Sequence, residues 1–219
     1  MPKTKYLRPG KQKPNIELKI GKGTIEETDK YTYLGEINNR RMDLSDQITN
    51  IEGKVEAAYQ TLLAVAEDRE FRQIKMQTIW TLVQTCIVPL ITYASETWQP
   101  KKQERKKLNQ ILDKILRRIL MTPDSTPREG VYMETGLLDI ETISDSKRLN
   151  MKARLNRDKS ELMSQVLSNP ECKWEQETMT QMLKYSITAE ELMNSRYQTK
   201  AIIKRATLMR FKTQIEESA

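Results

Sequence analysis

The spacing of apolar residues changes once along the chain, near Met42. Before it the period is two. Ile16, Leu18 and Ile20 alternate with polar residues, Gly21-Lys22-Gly23 supplies a turn, and Thr24 to Leu34 resumes strand-like character, which predicts a small β-hairpin and one further strand over residues 1–41. From Met42 onward the rhythm is helical. Leu44, Ile48, Ile51, Val55, Ala58, Leu62 and Val65 fall at alternating steps of four and three, one apolar seam along a long helix. A second helix, from about Glu70, is apolar on most sides between Ile79 and Ile91 and is expected to kink at Pro89, which removes a backbone donor and crowds the preceding turn.

The third predicted helix, Gln103 to Met121, segregates its faces most sharply. Leu108, Ile111, Leu112, Ile115, Leu116, Ile119 and Leu120 form a continuous apolar stripe, and Lys107, Lys114, Arg117 and Arg118 fall on the other side. Beyond it, Thr126-Pro127-Arg128-Glu129 reads as a helix start, with Thr126 as cap, Pro127 in the first helical position and Gly136 as the stop. A further helix is expected from Asp145 to about Asn156, carrying Lys147, Arg148, Lys152, Arg154 and Arg157. A polar connection containing Asn169-Pro170 follows, and Thr188-Ala189-Glu190-Glu191 opens a last long helix. The predicted fold is mainly α, with a small N-terminal β-hairpin, a helical bundle over 42–122, further helices over 123–169 and a helical appendage over 170–219.

Charge adds a partner class to this picture. The chain carries 37 Lys and Arg against 30 Asp and Glu, a net +7, with a pI near 9.3 and a mean hydropathy of -0.69. Between Lys101 and Arg118 eight basic residues face only Glu104 and Asp113, so this one segment holds +6 of the total. One face buried and the other basic suits either a solvated surface or a helix lying along a phosphate backbone. The N-terminal run Lys3, Lys5, Arg8, Lys11 and Lys13 is likewise either a solvated tail or a phosphate-contacting arm.

Composition also excludes. There is no histidine, hence no imidazole base, no Ser-His or Cys-His pair and no zinc site that needs a His ligand. The two cysteines, Cys86 and Cys172, imply no disulfide framework, and Cys86 lies in the most apolar stretch, where a buried thiol is expected. The apolar run from Ile79 to Ala94 is about 16 residues, short of the roughly 20 that span a bilayer, so no membrane partner is predicted. Nothing in the composition or spacing points to a cofactor or a metal.

Three segments, in order, resemble one family. They are Tyr31-Thr32-Tyr33-Leu34-Gly35, then Pro89-Leu90-Ile91-Thr92-Tyr93-Ala94-Ser95-Glu96-Thr97-Trp98, then Arg118-Ile119-Leu120-Met121-Thr122-Pro123 through Thr126-Pro127-Arg128-Glu129 to Gly136-Leu137-Leu138. Together they resemble the post-palm region of LINE-type (non-LTR retrotransposon) reverse transcriptases. Lys3-Thr4-Lys5-Tyr6 also resembles the strand after the polymerase active-site hairpin of those enzymes, and the likeness covers residues 1–160.

The resemblance implies that residues 1–41 are palm-end strands and a primer grip, with Tyr33, Leu34 and Gly35 positioning the primer's 3′ end. It implies that 42–122 is a thumb-like three-helix bundle clamping a template–primer duplex, RNA or RNA–DNA hybrid. A palm domain is then a second partner, and an intracellular setting, nucleus or cytoplasm, is expected. The Tyr93–Trp98 stretch is expected to be structural, its aromatics packed against the apolar stripe. Polymerase chemistry in this family needs an aromatic-x-Asp-Asp turn to hold Mg²⁺, and no Asp-Asp pair occurs in the chain. The expectation is therefore a non-catalytic, nucleic-acid-binding segment with no catalytic residues, contacting duplex through Lys107, Lys114, Arg117 and Arg118 and through Tyr33, Leu34 and Gly35. The alternative from another class is a helical protein-interaction module or an inert retroelement remnant.

Overall fold

The computed structural model describes residues 4–10, 17–21, 23–67, 75–157, 165, 167–194 and 196–218. As the apolar rhythm predicts, strands occupy the N-terminal part and helices the rest. Strands β1 (Lys5–Tyr6), β2 (Leu18–Ile20) and β3 (Gly23–Glu27) form a sheet in the order β1-β3-β2, with β3 antiparallel to β2 and parallel to β1. Gly21 turns the chain at φ +59. Ile16 and Lys22 lie outside the described residues, as do Lys3, Lys11 and Lys13 of the basic N-terminal run. The two cations of that run that are described sit against carboxylates: Lys5 is 2.9 Å from Glu26, and Arg8 is 2.6 Å from Glu27.

The strand expected from Thr24 to Leu34 is in fact two. The Thr28 hydroxyl donates to the Lys30 carbonyl at 2.7 Å and bends the chain, a local side-chain bond that competes with continued pairing. Strand β4 (Lys30–Tyr33) then pairs antiparallel with β5 (Glu36–Asn39) in a second hairpin of its own. Asp43 joins this hairpin to the helices. Its carboxylate accepts from the Ser45 hydroxyl at 2.6 Å, the Asn39 amide at 2.8 Å and the Ser45 N–H at 3.2 Å, and these donors pull its pKa down to about 2.

Helix α1 (Ser45–Glu67) buries Ile48, Ile51 and Val55 along the predicted seam, with Leu44, Ala58 and Leu62 packed beside them; the Val65 side chain lies outside the described residues. The predicted start near Glu70 also lies outside them. Helix α2 (Met76–Leu82) passes into a π turn at Val83–Ile87 and then into α3 (Val88–Ile91). In place of an expected simple kink, the Val88 N–H bonds back five residues to the Val83 carbonyl, a wider turn placed just before the proline that lacks a donor. Cys86 is exposed, contrary to expectation. The buried residues here are Trp80, Val83, Ile87, Val88 and Ile91, so the stretch has one buried face, and Cys86 lies beside the exposed Gln84 and Thr85 on the other.

Helix α4 (Lys102–Leu120) buries Leu108, Ile111, Leu112, Ile115 and Leu116 and closes the bundle against α1 and α3. Glu104 fixes its start, accepting the Lys101 N–H at 2.6 Å with one oxygen and the Leu44 N–H of the α1 approach at 2.9 Å with the other. A second tie, Arg118 to Glu56 at 2.8 Å, pairs the helices further along, so α1 and α4 run parallel.

Helix α5 (Arg128–Thr135) begins after Pro127, one residue later than the cap prediction, because the Thr126 carbonyl is held by Arg117. Gly136, at φ +64, ends it as predicted. Helix α6 (Ile140–Arg157) begins well before Asp145. Asp139 is its unforeseen cap, accepting the Thr142 N–H at 2.7 Å. Helix α7 (Lys173–Lys184) occupies much of the stretch expected to be a connection and the start of the appendage. The capping box of Thr188 with Glu191 is present, at 2.8 and 3.1 Å, and leads into α8 (Ala189–Asn194) and α9 (Arg196–Ser218).

The C-terminal helices pack back onto α5 and α6. Leu149, Ala153, Met182, Tyr185, Ile187, Leu192 and Ile203 form a second apolar cluster, and Phe211 of α9 reaches the first, its ring 5.7 Å from that of Tyr132. Arg210 beside it binds Asp139 at 3.2 Å. Phe211→Ala is therefore expected to remove about 3–5 kcal/mol from unfolding of the main bundle, as for other buried aromatics. Urea denaturation followed through the buried Trp80 and Trp98 checks this, and an unmoved midpoint would mean that α9 is energetically separate.

Candidate nucleic-acid interface

The β4–β5 hairpin closes on two residues, Leu34 and Gly35, between the paired Tyr33 and Glu36. Both have positive φ, +48 and +85, as a type I′ turn requires. Glycine takes such an angle freely. A leucine does so at a cost of about 1–2 kcal/mol, because its Cβ crowds the following carbonyl. Leu34 is also 75% exposed and Tyr33 62%, so burial of either side chain offsets little of that cost. Exposed apolar surface and backbone strain thus coincide at the residues that the sequence resemblance singles out.

The tip is fixed to the helices. Tyr93, in the turn after α3, donates its hydroxyl to the Leu34 carbonyl at 2.8 Å, and its ring passes 3.6 Å from where a Cβ on Gly35 would be. The strands are held too, near the tip by the Ile37 N–H on the Gln47 amide oxygen at 3.1 Å and at the root by Lys30 on Asp46. The expected inward packing of the Tyr93–Trp98 aromatics holds for Trp98 alone. Tyr93 stays half exposed as a strut beneath the tip, because its hydroxyl is drawn to the Leu34 carbonyl.

The four basic residues predicted on α4 have different duties. Lys107 and Lys114 are exposed, two helical turns apart, and have no hydrogen-bond or ion-pair partner among the described residues. Arg118 forks onto both Glu56 oxygens at 2.8 and 2.9 Å and lies 5.4 Å above the Tyr59 ring. Gln60 and Arg118 together hold the Glu56 carboxyl below the usual carboxylate range. Arg117 is committed to the chain itself, one terminal nitrogen on the Pro123 carbonyl at 2.9 Å and the other on that of Thr126 at 2.8 Å. It braces the α4–α5 loop.

The exposed face of α4 stands as a ridge between two grooves. One, of about 510 Å³, runs against α1 and is lined by Lys107, Lys114 and Arg118 with Glu52 and Glu56. The other, of about 850 Å³, runs toward α6 and α7 and places Lys102 and Lys106 opposite Glu141, Glu177 and Lys184. Gln110 lines both. Lys102 and Lys106 are further cations of this surface, beyond the four expected from sequence. Their i, i+4 spacing on the same helix is the signal that marks them.

Beneath the larger groove the charges are paired rather than free. Asp145 accepts from Gln181, Lys184 and Tyr185 at 2.8 to 2.9 Å. Burial pushes its carboxyl up, and burial alone would lower Lys184, but the adjacent Asp145 more than restores that ammonium and holds it above the ordinary lysine range. Arg148 and Lys152 of α6 are buried and bound to Glu177 and Glu175. This network ties α6 to α7. Among the described residues no group of carboxylates and thiols is placed to hold a metal ion, and no helix is long and apolar enough to cross a membrane.

Compared with family profiles, curated proteins and solved structures, the chain matches none. The strain at Leu34 is open to direct measurement. Leu34→Asn places the residue pair most favoured in type I′ turns at the tip and is expected to stabilise the protein by about 1 kcal/mol, the penalty removed from the left-handed position. Thermal or urea denaturation reads this, and a loss of stability would show that the leucine is held by packing.

Proposed function

We propose that this chain is a thumb-like, post-palm segment of a LINE-type reverse transcriptase, and that it holds a template–primer duplex without itself carrying out polymerisation. The observation that supports the reading most is the strained and exposed Leu34 at the hairpin tip. Folding alone favours Asn or Gly at that position, so a leucine there is best understood as a surface kept for contact. Tyr33 beside it and Tyr93 beneath it give the tip an apolar face suited to the sugar and base edge of a strand end. Gly35 keeps the backbone accessible.

Lys107 and Lys114, with Lys102 and Lys106 on the other shoulder of α4, supply cations for phosphates passing alongside. Such binding is electrostatic and largely indifferent to sequence. The same reading gives Leu18 and Ile20 a use. They are exposed on β2, opposite or diagonal to Ile25 on one face of the N-terminal sheet, a surface on which a palm domain would rest.

Fluorescence anisotropy with a labelled RNA–DNA hybrid tests the proposal. Contacts to about four phosphates predict a slope of log K against log salt of about -3.6, at about -0.9 per phosphate. Lys107→Ala with Lys114→Ala should weaken binding and flatten that slope by about 1.8. Arg117→Ala should lower stability and leave the slope nearly as it was. Absence of binding at about 50 mM salt, where such contacts are strongest, would overturn the reading.

A further inference from the structure

A third groove, separate from the two beside α4, begins where the hairpin tip is anchored. The turn after α3 holds the tip through Tyr93 at one end, and at the other its residues Glu96 and Thr97 form one wall of a groove of about 760 Å³. The opposite wall is the outer face of α6, where Lys147, Asn150, Arg154 and Arg157 recur at helical spacing over about 15 Å of axis. Lys147 binds the Thr92 carbonyl and so locks this turn to α6. Arg154 is exposed and has no hydrogen-bond or ion-pair partner among the described residues. Arg157 holds the Ala153 carbonyl through Nε at 3.1 Å, and its two terminal nitrogens have no partner among the described residues. Between these cations the floor is apolar, made by the half-buried Met151 and Leu155. Glu96 supplies the one acidic side chain among the described lining residues.

We infer that this groove binds a single-stranded nucleic-acid extension running on from the strand end held at the Leu34-Gly35 tip. The inference rests on the proposed duplex-holding role and extends it to a second, separate surface. An apolar floor with guanidinium groups on its rim suits unstacked nucleotides: the base lies against Met151 and Leu155, and the phosphates meet Arg154 and Arg157. The Asn150 carboxamide can both donate to and accept from a base edge. A paired duplex is too thick to lower its bases onto that floor.

The test compares a blunt RNA–DNA hybrid with the same hybrid carrying a short single-stranded tail, of DNA in one arm and of RNA in the other. The tail should tighten binding about tenfold at low salt and steepen the salt slope by about 1.4, at about 0.7 per single-strand phosphate. Arg154→Glu with Arg157→Glu should abolish that gain and leave blunt-hybrid affinity unchanged. Both side chains are exposed, so circular dichroism should show an intact fold, and Arg154→Ala with Arg157→Ala serves if the charge reversal perturbs α6. A tail that adds nothing, or a gain that survives both pairs of substitutions, overturns the groove and leaves the duplex reading standing. Binding of isolated single strands that is lost on charge reversal, in a protein that ignores blunt hybrid, supports the groove and overturns the duplex reading. No binding to any of these probes overturns both.

Discussion

Burial of Leu108, Ile111, Leu112, Ile115 and Leu116 along one side of α4 determines where everything else in the first core can go. Each buried aliphatic side chain contributes about 1.5–3 kcal/mol, so this stripe is a large share of what holds α1, α3 and α4 together. A helix cannot bury one face without presenting the other. With Lys102, Lys106, Lys107, Lys114 and Arg118 distributed over that other face, the apolar contact that folds the bundle also builds its basic ridge. Glu104 sets the axial position of the ridge, since one of its carboxylate oxygens caps α4 and the other holds the approach to α1.

The hairpin tip obeys a different logic. Strand pairing from Lys30 to Asn39 demands a two-residue turn with positive φ at both central positions, and Leu34 is a poor residue for the first of them. The surrounding structure supplies what the residue does not. Tyr93 fixes the Leu34 carbonyl, Gln47 holds β5 just behind the tip, Asp46 holds the hairpin's root, and Asp43 caps the entry to α1. Strain of this kind persists only where neighbours over-determine the conformation, and it concentrates at contact sites. The neighbours also explain why the tip can be rigid while its side chains face solvent.

The parts legible in the sequence are those written in periodicity or local capping chemistry. The α1 seam from Leu44 to Leu62, the α4 stripe, the Gly136 stop and the Thr188–Glu191 box depend on residues close together in the chain, and the structure contains all of them. What could not be read depends on contacts across the fold. Whether Arg117 faces solvent or a carbonyl is decided by the path of the loop at Pro123–Thr126, and Arg148 and Lys152 disappear from the surface only because α7 brings Glu175 and Glu177 to them. An apolar composition does not mean burial on all sides: around Cys86 the π turn leaves one face outward. The α6 groove is hidden in the sequence for the same reason as the buried pairs, since only the 92–97 turn distinguishes Arg154 and Arg157 from the other cations of that helix.

Under the proposed function, the hairpin tip and the α4 ridge together form the surface on which a nucleic acid rests. Backbone amide chemical shifts of the isotope-labelled protein, followed as blunt RNA–DNA hybrid is added, map that surface directly. Perturbations are expected to cluster at Tyr33, Leu34 and Gly35 and along the exposed positions of α4 around Lys107 and Lys114, with the amides beside Arg148 and Lys152 unmoved. Perturbations confined to surfaces away from the tip and the ridge would contradict it.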